Sequence, residues 1–214
     1  MCTAGSFIET CTRTADKVKS MGIEAAKKSG SLLACIQPLF ALIVDWIIKN
    51  NFSMALEIGQ PAPDFSLYNS ERTKVTLSQQ RGSNVLLLFF PAAFTSVCTA
   101  ELCATRDAIA VYNKANAKVF GISVDSLFTL AKYKEDQHLN FPLLSDFNKE
   151  VSKAYGAFYN TFSFDMQGVS KRAAFIIDEE GIVQYAEVLE NAGAQPDFRK
   201  ISEILDSINA KALS

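Results

Sequence analysis

The sequence predicts an α/β fold, a three-layer sandwich in which helices cover both faces of a mixed central β-sheet. Three observations carry this prediction. Residues 84–90 form a near-continuous apolar run closed by Gly82 and Pro91, which suits a strand buried on both faces. Extended and helical periodicities alternate from there to about residue 155. Two apolar segments, 173–178 and 182–189, then meet at Glu179-Glu180-Gly181 as a hairpin, and an amphipathic stretch at 198–208 follows.

Taken in order, Pro61-Ala62-Pro63-Asp64 is an extended lead-in, because proline fixes φ and disfavours helix in the residue before it. Short strands are expected at 65–68 and 74–77, and the buried central strand at 84–90. Helical periodicity covers 96–113. A second buried strand is expected at 118–124, a helix at 127–137, a short extended piece at 142–145 and a helical turn at 151–155. The hairpin at 173–189 and the helix at 198–208 close the domain.

The chain has 214 residues, 49% of them hydrophobic and 21% charged, with a formal net charge of -2. That composition fits one sizeable globular domain with an appendage. No block of Lys and Arg offers an electrostatic footprint for a phosphate backbone, so nucleic acid is not an expected partner. The five cysteines, Cys2, Cys11, Cys35, Cys98 and Cys103, are an odd number and do not form a disulfide framework. Cys98 and Cys103 are the one close pair. With a single histidine, His138, nothing nearby completes a four-ligand zinc site, and neither metal nor cofactor is called for.

Residues 1–53 carry six basic and four acidic residues and differ from the rest, so a domain boundary is expected near Met54, with an extension at 1–53 and the main domain at 54–214. Within the extension, 32–48 is mostly apolar. A membrane crossing needs about 20 predominantly apolar residues, and this stretch is shorter and is interrupted by Gln37, Pro38 and Asp45. It is expected to be a surface or docking helix, with membrane contact the less favoured alternative and the cytoplasm the expected location. Leu32-Leu33-Ala34-Cys35 is not read as a lipoprotein cleavage site, because the apolar region follows it rather than precedes it. A start of translation at Met54 is the third alternative for this segment.

Chemistry concentrates in residues 91–103, where the buried strand gives way to a helix, the place at which α/β folds put their sites. Cys98 falls in the first turn of that helix. Unpaired backbone N–H groups and the positive end of the helix dipole favour a thiolate there, and the thiolate is the nucleophile. Thr95, three residues earlier, can bring its hydroxyl to the sulfur or to a bound oxygen, or else simply cap the helix. A cysteine protease would need a histidine base, and His138 lies in a polar stretch that reads as surface. Activation without histidine calls for a permanent cation. Arg172 begins the apolar segment 173–177, which can run beside the strand ending at Pro91, and a guanidinium there would stabilise both a thiolate and a departing oxygen. A surface charge is the other reading of Arg172.

On these residues the chain resembles the peroxiredoxins, whose motif Pro-x-x-x-Thr-x-x-Cys is matched by Pro91, Thr95 and Cys98. The likeness runs over about residues 55–211 and includes Phe141-Pro142-Leu143-Leu144-Ser145-Asp146, Ala154-Tyr155-Gly156 and the segment from Arg172 to Asp178. It is closest to the AhpE branch, with the bacterioferritin comigratory protein branch second. The resemblance implies a thioredoxin-like fold in which Cys98 is the peroxidatic cysteine, Thr95 and Arg172 bind the peroxide oxygens, Pro91 shields the sulfur and Glu101 orients the arginine. Helical spacing puts Glu101 on the same side as Cys98, and a favourable charge in the first helical turn is the other reading of Glu101. The resemblance further implies a hydroperoxide substrate, a sulfenic acid on Cys98, a thioredoxin-like or other thiol reductant, and a homodimer.

Recycling is where the two branches part. Cys103 stands where the comigratory-protein branch places a resolving cysteine, which would form a disulfide with Cys98, while Ser96-Val97 is closer to the AhpE branch, typically a one-cysteine enzyme. A thioredoxin-like disulfide oxidoreductase is a rival of the same fold, but it carries Cys-x-x-Cys and a facing cis-proline. The spacing here is longer, and no proline lies between Pro142 and Pro196. A redox sensor docked to a membrane through 32–48 is the non-enzymatic alternative.

Overall fold

Three hydrophobic residues in succession, Leu86, Leu87 and Leu88, are all fully buried, which a strand achieves only when both its faces are covered. They lie in β3 (Asn84–Phe89) at the middle of a seven-stranded sheet. The computed structural model describes residues 56–212, which fall in one compact unit. The extension at 1–53, its apolar segment at 32–48 and the boundary at Met54 lie outside the described residues.

In chain order the strands are β1 (Ser66–Asn69), β2 (Lys74–Thr76), β3, β4 (Ala117–Ser123), β5 (Leu143–Ser145), β6 (Phe158–Thr161), β7 (Gln167–Ser170), β8 (Arg172–Ile177) and β9 (Val183–Leu189). The helices are α1 (Ser96–Asp107), α2 (Ile109–Lys114), α3 (Leu127–Asp136), α4 (Glu150–Ala154) and α5 (Phe198–Ala212). The main sheet runs β2-β1-β5-β4-β3-β8-β9, with β3, β4 and β5 parallel and the other pairs antiparallel. This is the expected three-layer sandwich with a mixed sheet.

Side-chain alternation divides the core. Leu86, Leu88, Ala174 and Ile176 pack on one face against Cys98 and Leu102 of α1, Tyr112 of α2, Leu130 and Tyr133 of α3, and Ile201 and Leu205 of α5. On the opposite face Val85, Leu87, Phe89, Phe175 and Ile177 pack against Phe65, Leu77, Val151 and Tyr155. Burying one such side chain contributes about 1.5 to 3 kcal/mol, so the central strands hold much of the fold's stability. The β8–β9 turn is set by Asp178, whose Oδ1 accepts from the N–H groups of Glu180 and Ile182 at 3.0 and 2.8 Å, and by Gly181 at φ 81°.

Two expectations are corrected. The single helix expected at 96–113 is broken at Ala108, whose φ of -93° and ψ of 6° leave the helical range, and beyond the break Tyr112 turns into the core. Between 155 and 172, where no element was expected, β6 and β7 form a separate two-stranded sheet. Its connection bends through Phe164 and Asp165, both at positive φ, and this irregular tip hides the alternation that marks a hairpin. Smaller shifts affect 74–77, where Leu77 opens a 3-10 turn, and the last helix, which continues to Ala212. Among the described residues, no helix is long and apolar enough to cross a membrane.

Candidate functional site

Strand β3 ends at the segment that leads into α1, and strand register decides what lies beside it. Phe89 pairs with Ala173, so Arg172, the first residue of β8, stands alongside the end of β3. Alternation puts the side chain of Arg172 on the same face as Ala174 and Ile176, the face that α1 covers. Cys98 and Glu101, three residues apart on α1, both point inward there and are 1% and 0% exposed.

Arg172, itself 1% exposed, connects them. Its Nη1 pairs with Glu101 Oε2, and its Nη2 donates to Cys98 Sγ at 3.2 Å. The carbonyl oxygen of Ala192, in the loop between β9 and α5, accepts from Nη2 at 3.0 Å and Nε at 3.3 Å. The guanidinium is therefore held on two sides in a buried site with one edge turned to the sulfur. In such a site a fixed cation acts on a thiolate far more strongly than it would in water.

Cys98 is the third residue of α1, inside the first turn as expected. Thr95 occupies the N-cap position by its extended backbone, yet its hydroxyl does not cap. Thr95 is exposed, and its Oγ1 donates instead to Ala92 O at 2.9 Å. No bond from Thr95 to the sulfur is formed among the described residues. That proton is engaged by the carbonyl, and the Thr95 oxygen keeps its lone pairs free. Pro91 is buried at the base of the same loop. Phe94 adopts φ 64°, in the left-handed region that disfavours bulky residues, and its ring packs at a 59° tilt against Tyr133, 4.9 Å between centroids.

The Tyr133 hydroxyl lies 3.0 Å from Thr99 Oγ1, and burial pushes its pKa up to about 12, so it stays protonated around neutrality. The loop is tied to the sheet by Asp125, whose Oδ2 accepts from Ala93 N at 2.8 Å. Cys103 is half-buried further along α1, with Sγ 3.7 Å from Gln137 Oε1, and it and Cys98 are both free thiols. His138 is exposed, in agreement with its reading as a surface residue.

Of the residues singled out in the sequence, Cys98, Glu101 and Arg172 are thus brought into contact, Pro91 and Thr95 lie on the segment leading into α1, and Cys103 stands apart on the helix. Sequence reasoning missed two contributors. The Ala192 carbonyl carries no side-chain signal at all, and Asp125 is one of 23 acidic residues, distinguished only by following a buried strand.

The model of the AhpC/TSA family matches residues 58–186. Alkyl hydroperoxide reductase E of Mycobacterium tuberculosis is 36% identical over 158 residues, covering 72% of this chain and 99% of its own. A chloroplastic 2-Cys peroxiredoxin of Spinacia oleracea is 36% identical over 164 residues, covering 72% of this chain but 58% of the relative, so the chain spans little more than half of that protein. Among solved structures, peroxidoxin BcpB of Mycobacterium tuberculosis superposes with a TM-score of 0.64 at 30% identity, over 72% of this chain and 98% of its own.

Proposed function

The chain belongs to the AhpC/TSA family and is a peroxiredoxin, and from that membership we propose that it is a thiol-dependent peroxidase acting on hydrogen peroxide and organic hydroperoxides through Cys98. The observation that carries the assignment to Cys98 is the buried Arg172 guanidinium 3.2 Å from its sulfur, held in turn by Glu101.

In the first step a lone pair of the Cys98 thiolate attacks the nearer peroxide oxygen. The S–O bond forms as the O–O bond breaks, and the bonding pair leaves on the far oxygen, which takes up a proton as water or an alcohol. Cys98 becomes a sulfenic acid. Arg172 stabilises the thiolate before attack and the departing oxygen during it. The Thr95 oxygen receives the peroxide O–H, and Pro91 shields the sulfur. Replacement of Cys98 by serine tests the assignment: Cys98→Ser is expected to fold and to lose peroxide reduction entirely, and activity surviving in it would sink the reading.

For recycling, Cys103 attacks the sulfenic sulfur, the hydroxyl leaves as water, and a Cys98–Cys103 disulfide forms, which a thioredoxin-like dithiol then reduces. In an intact helix the two residues are about 140° apart around the axis and about 7.5 Å apart along it, whereas a disulfide needs Cβ atoms within about 4.5 Å. The start of α1 must therefore unwind. Two features favour this. The first turn has no side-chain cap and no acidic residue. Oxidation also removes the thiolate charge that draws the sulfur to Arg172. Against it stands the withdrawal of Leu102, fully buried, and of Glu101 from its ion pair. The working form is read as a homodimer, on the family resemblance, with the cytoplasm as its location.

A further inference from the structure

The peptide group between Ala92 and Ala93 is held at both ends. Its carbonyl accepts the Thr95 hydroxyl at 2.9 Å, and its N–H donates to Asp125 Oδ2 at 2.8 Å. A carbonyl has no proton to give, so the direction of the first bond is settled by chemistry. A carboxylate on the N–H side polarises the amide and makes its carbonyl a stronger acceptor. Asp125 thereby fixes the tilt of the peptide plane and strengthens the bond that orients Thr95.

Asp125 is itself anchored to two adjacent strand ends. Ser123 Oγ donates to its Oδ2 at 2.8 Å, its own N–H donates to Ser123 Oγ at 3.1 Å, and Ser145 Oγ donates to its carbonyl at 2.6 Å. Ser123 and Ser145 end β4 and β5 and pair directly with each other. The loop from Pro91 to Thr95 has no regular structure and contains Phe94 at φ 64°, so it needs such an external hold.

We propose that Asp125 is a positioning residue for peroxide reduction, acting through the Ala92–Ala93 peptide to set the Thr95 hydroxyl for the incoming hydroperoxide. This rests on the reading of Cys98 as the peroxidatic cysteine and of Thr95 as its peroxide-binding neighbour.

The test uses the full chain with Asp125→Ala, Asp125→Asn, Thr95→Val and the double variant Thr95→Val/Asp125→Ala. Two rates are measured at the Cys98 peptide by mass spectrometry: oxidation by hydrogen peroxide and alkylation by iodoacetamide. Asp125→Ala, which removes the acceptor of both the Ala93 N–H and the Ser123 hydroxyl, should slow oxidation by about 3- to 30-fold. Asp125→Asn keeps an oxygen acceptor for the Ala93 N–H and should return the rate to within about threefold of wild type. Alkylation, which reports the thiolate held by Arg172, should stay unchanged. In the Thr95→Val background, Asp125→Ala should cost nothing further, because its route of action is already gone. An equal loss in that background, or an equal slowing of alkylation, would show a merely structural role and overturn the proposal. If Asp125→Ala does not fold, Asp125→Ser, too short to reach the Ala93 N–H, takes its place in each comparison. Wild type that peroxide fails to oxidise at Cys98 would overturn the peroxidase reading itself, whereas rapid oxidation of both wild type and Asp125→Ala overturns only the role of Asp125.

Discussion

Removing the guanidinium beside Cys98 should cost the reaction and the fold by separable amounts. Two unit charges 4 Å apart attract by about 4 kcal/mol at an effective dielectric constant near 20. The Arg172–Cys98 contact is shorter, 3.2 Å, but the charge is spread over the guanidinium and Glu101 offsets part of it. Halving the figure leaves about 2 kcal/mol, or about 30-fold in rate, and loss of the same cation from the departing oxygen carries the total toward about 1000-fold. Arg172→Met alone also strands Glu101 as a fully buried carboxylate, which should cost about 3 to 5 kcal/mol of stability. The double variant Arg172→Met/Glu101→Gln removes both charges at nearly constant volume. It should regain most of that stability in urea unfolding while remaining about 30- to 1000-fold slow in peroxide oxidation measured by competition kinetics. A double variant oxidised as fast as wild type would refute the electrostatic role of Arg172, whatever its stability.

Three further outcomes are expected. Peroxide-treated wild type should show a Cys98–Cys103 linked peptide, while Cys103→Ser should stop at the sulfenic or sulfinic acid; wild type that also stops there would assign recycling to an external thiol. Residues 54–214 prepared alone should retain full peroxidase activity, because every residue assigned to chemistry lies within them, and an inactive or aggregating product would show that the extension is needed. Alkaline pH should destabilise the fold. Burial raises the folded-state pKa of Tyr133 to about 12 and also raises those of Tyr155 and Tyr185 above 10, so the unfolded chain ionises first. Their contribution is complete below pH 10 and is lost as pH rises toward and past 12. Melting temperatures that do not fall over that range would contradict it, and Tyr155→Phe should flatten the fall at the cost of the bond to Pro63 O.

Much of the site was legible because it is local. Pro91, Thr95, Cys98 and Glu101 lie within one turn and two helical turns of each other, so spacing alone aligns Cys98 with Glu101. The apolar run at 84–90 marked a strand buried on both faces, and its end marked the place of the site. Arg172 was legible only in part, as the first residue of another apolar segment; that it is buried rather than exposed follows from the pairing of Phe89 with Ala173 and from which face α1 covers. The hairpin of β6 and β7 escaped because its strands are only four residues each and its tip bends through Phe164 and Asp165 at positive φ. The Ala192 carbonyl and the Asp125 carboxylate escaped for a different reason. Hydrophobic periodicity, which is written in the order of the residues, determined the layers and the position of Cys98 at the start of α1 in this chain. The partners of its buried polar groups depended on strand register and loop path, which bring backbone atoms distant in sequence within hydrogen-bond reach, and these only the tertiary structure decided.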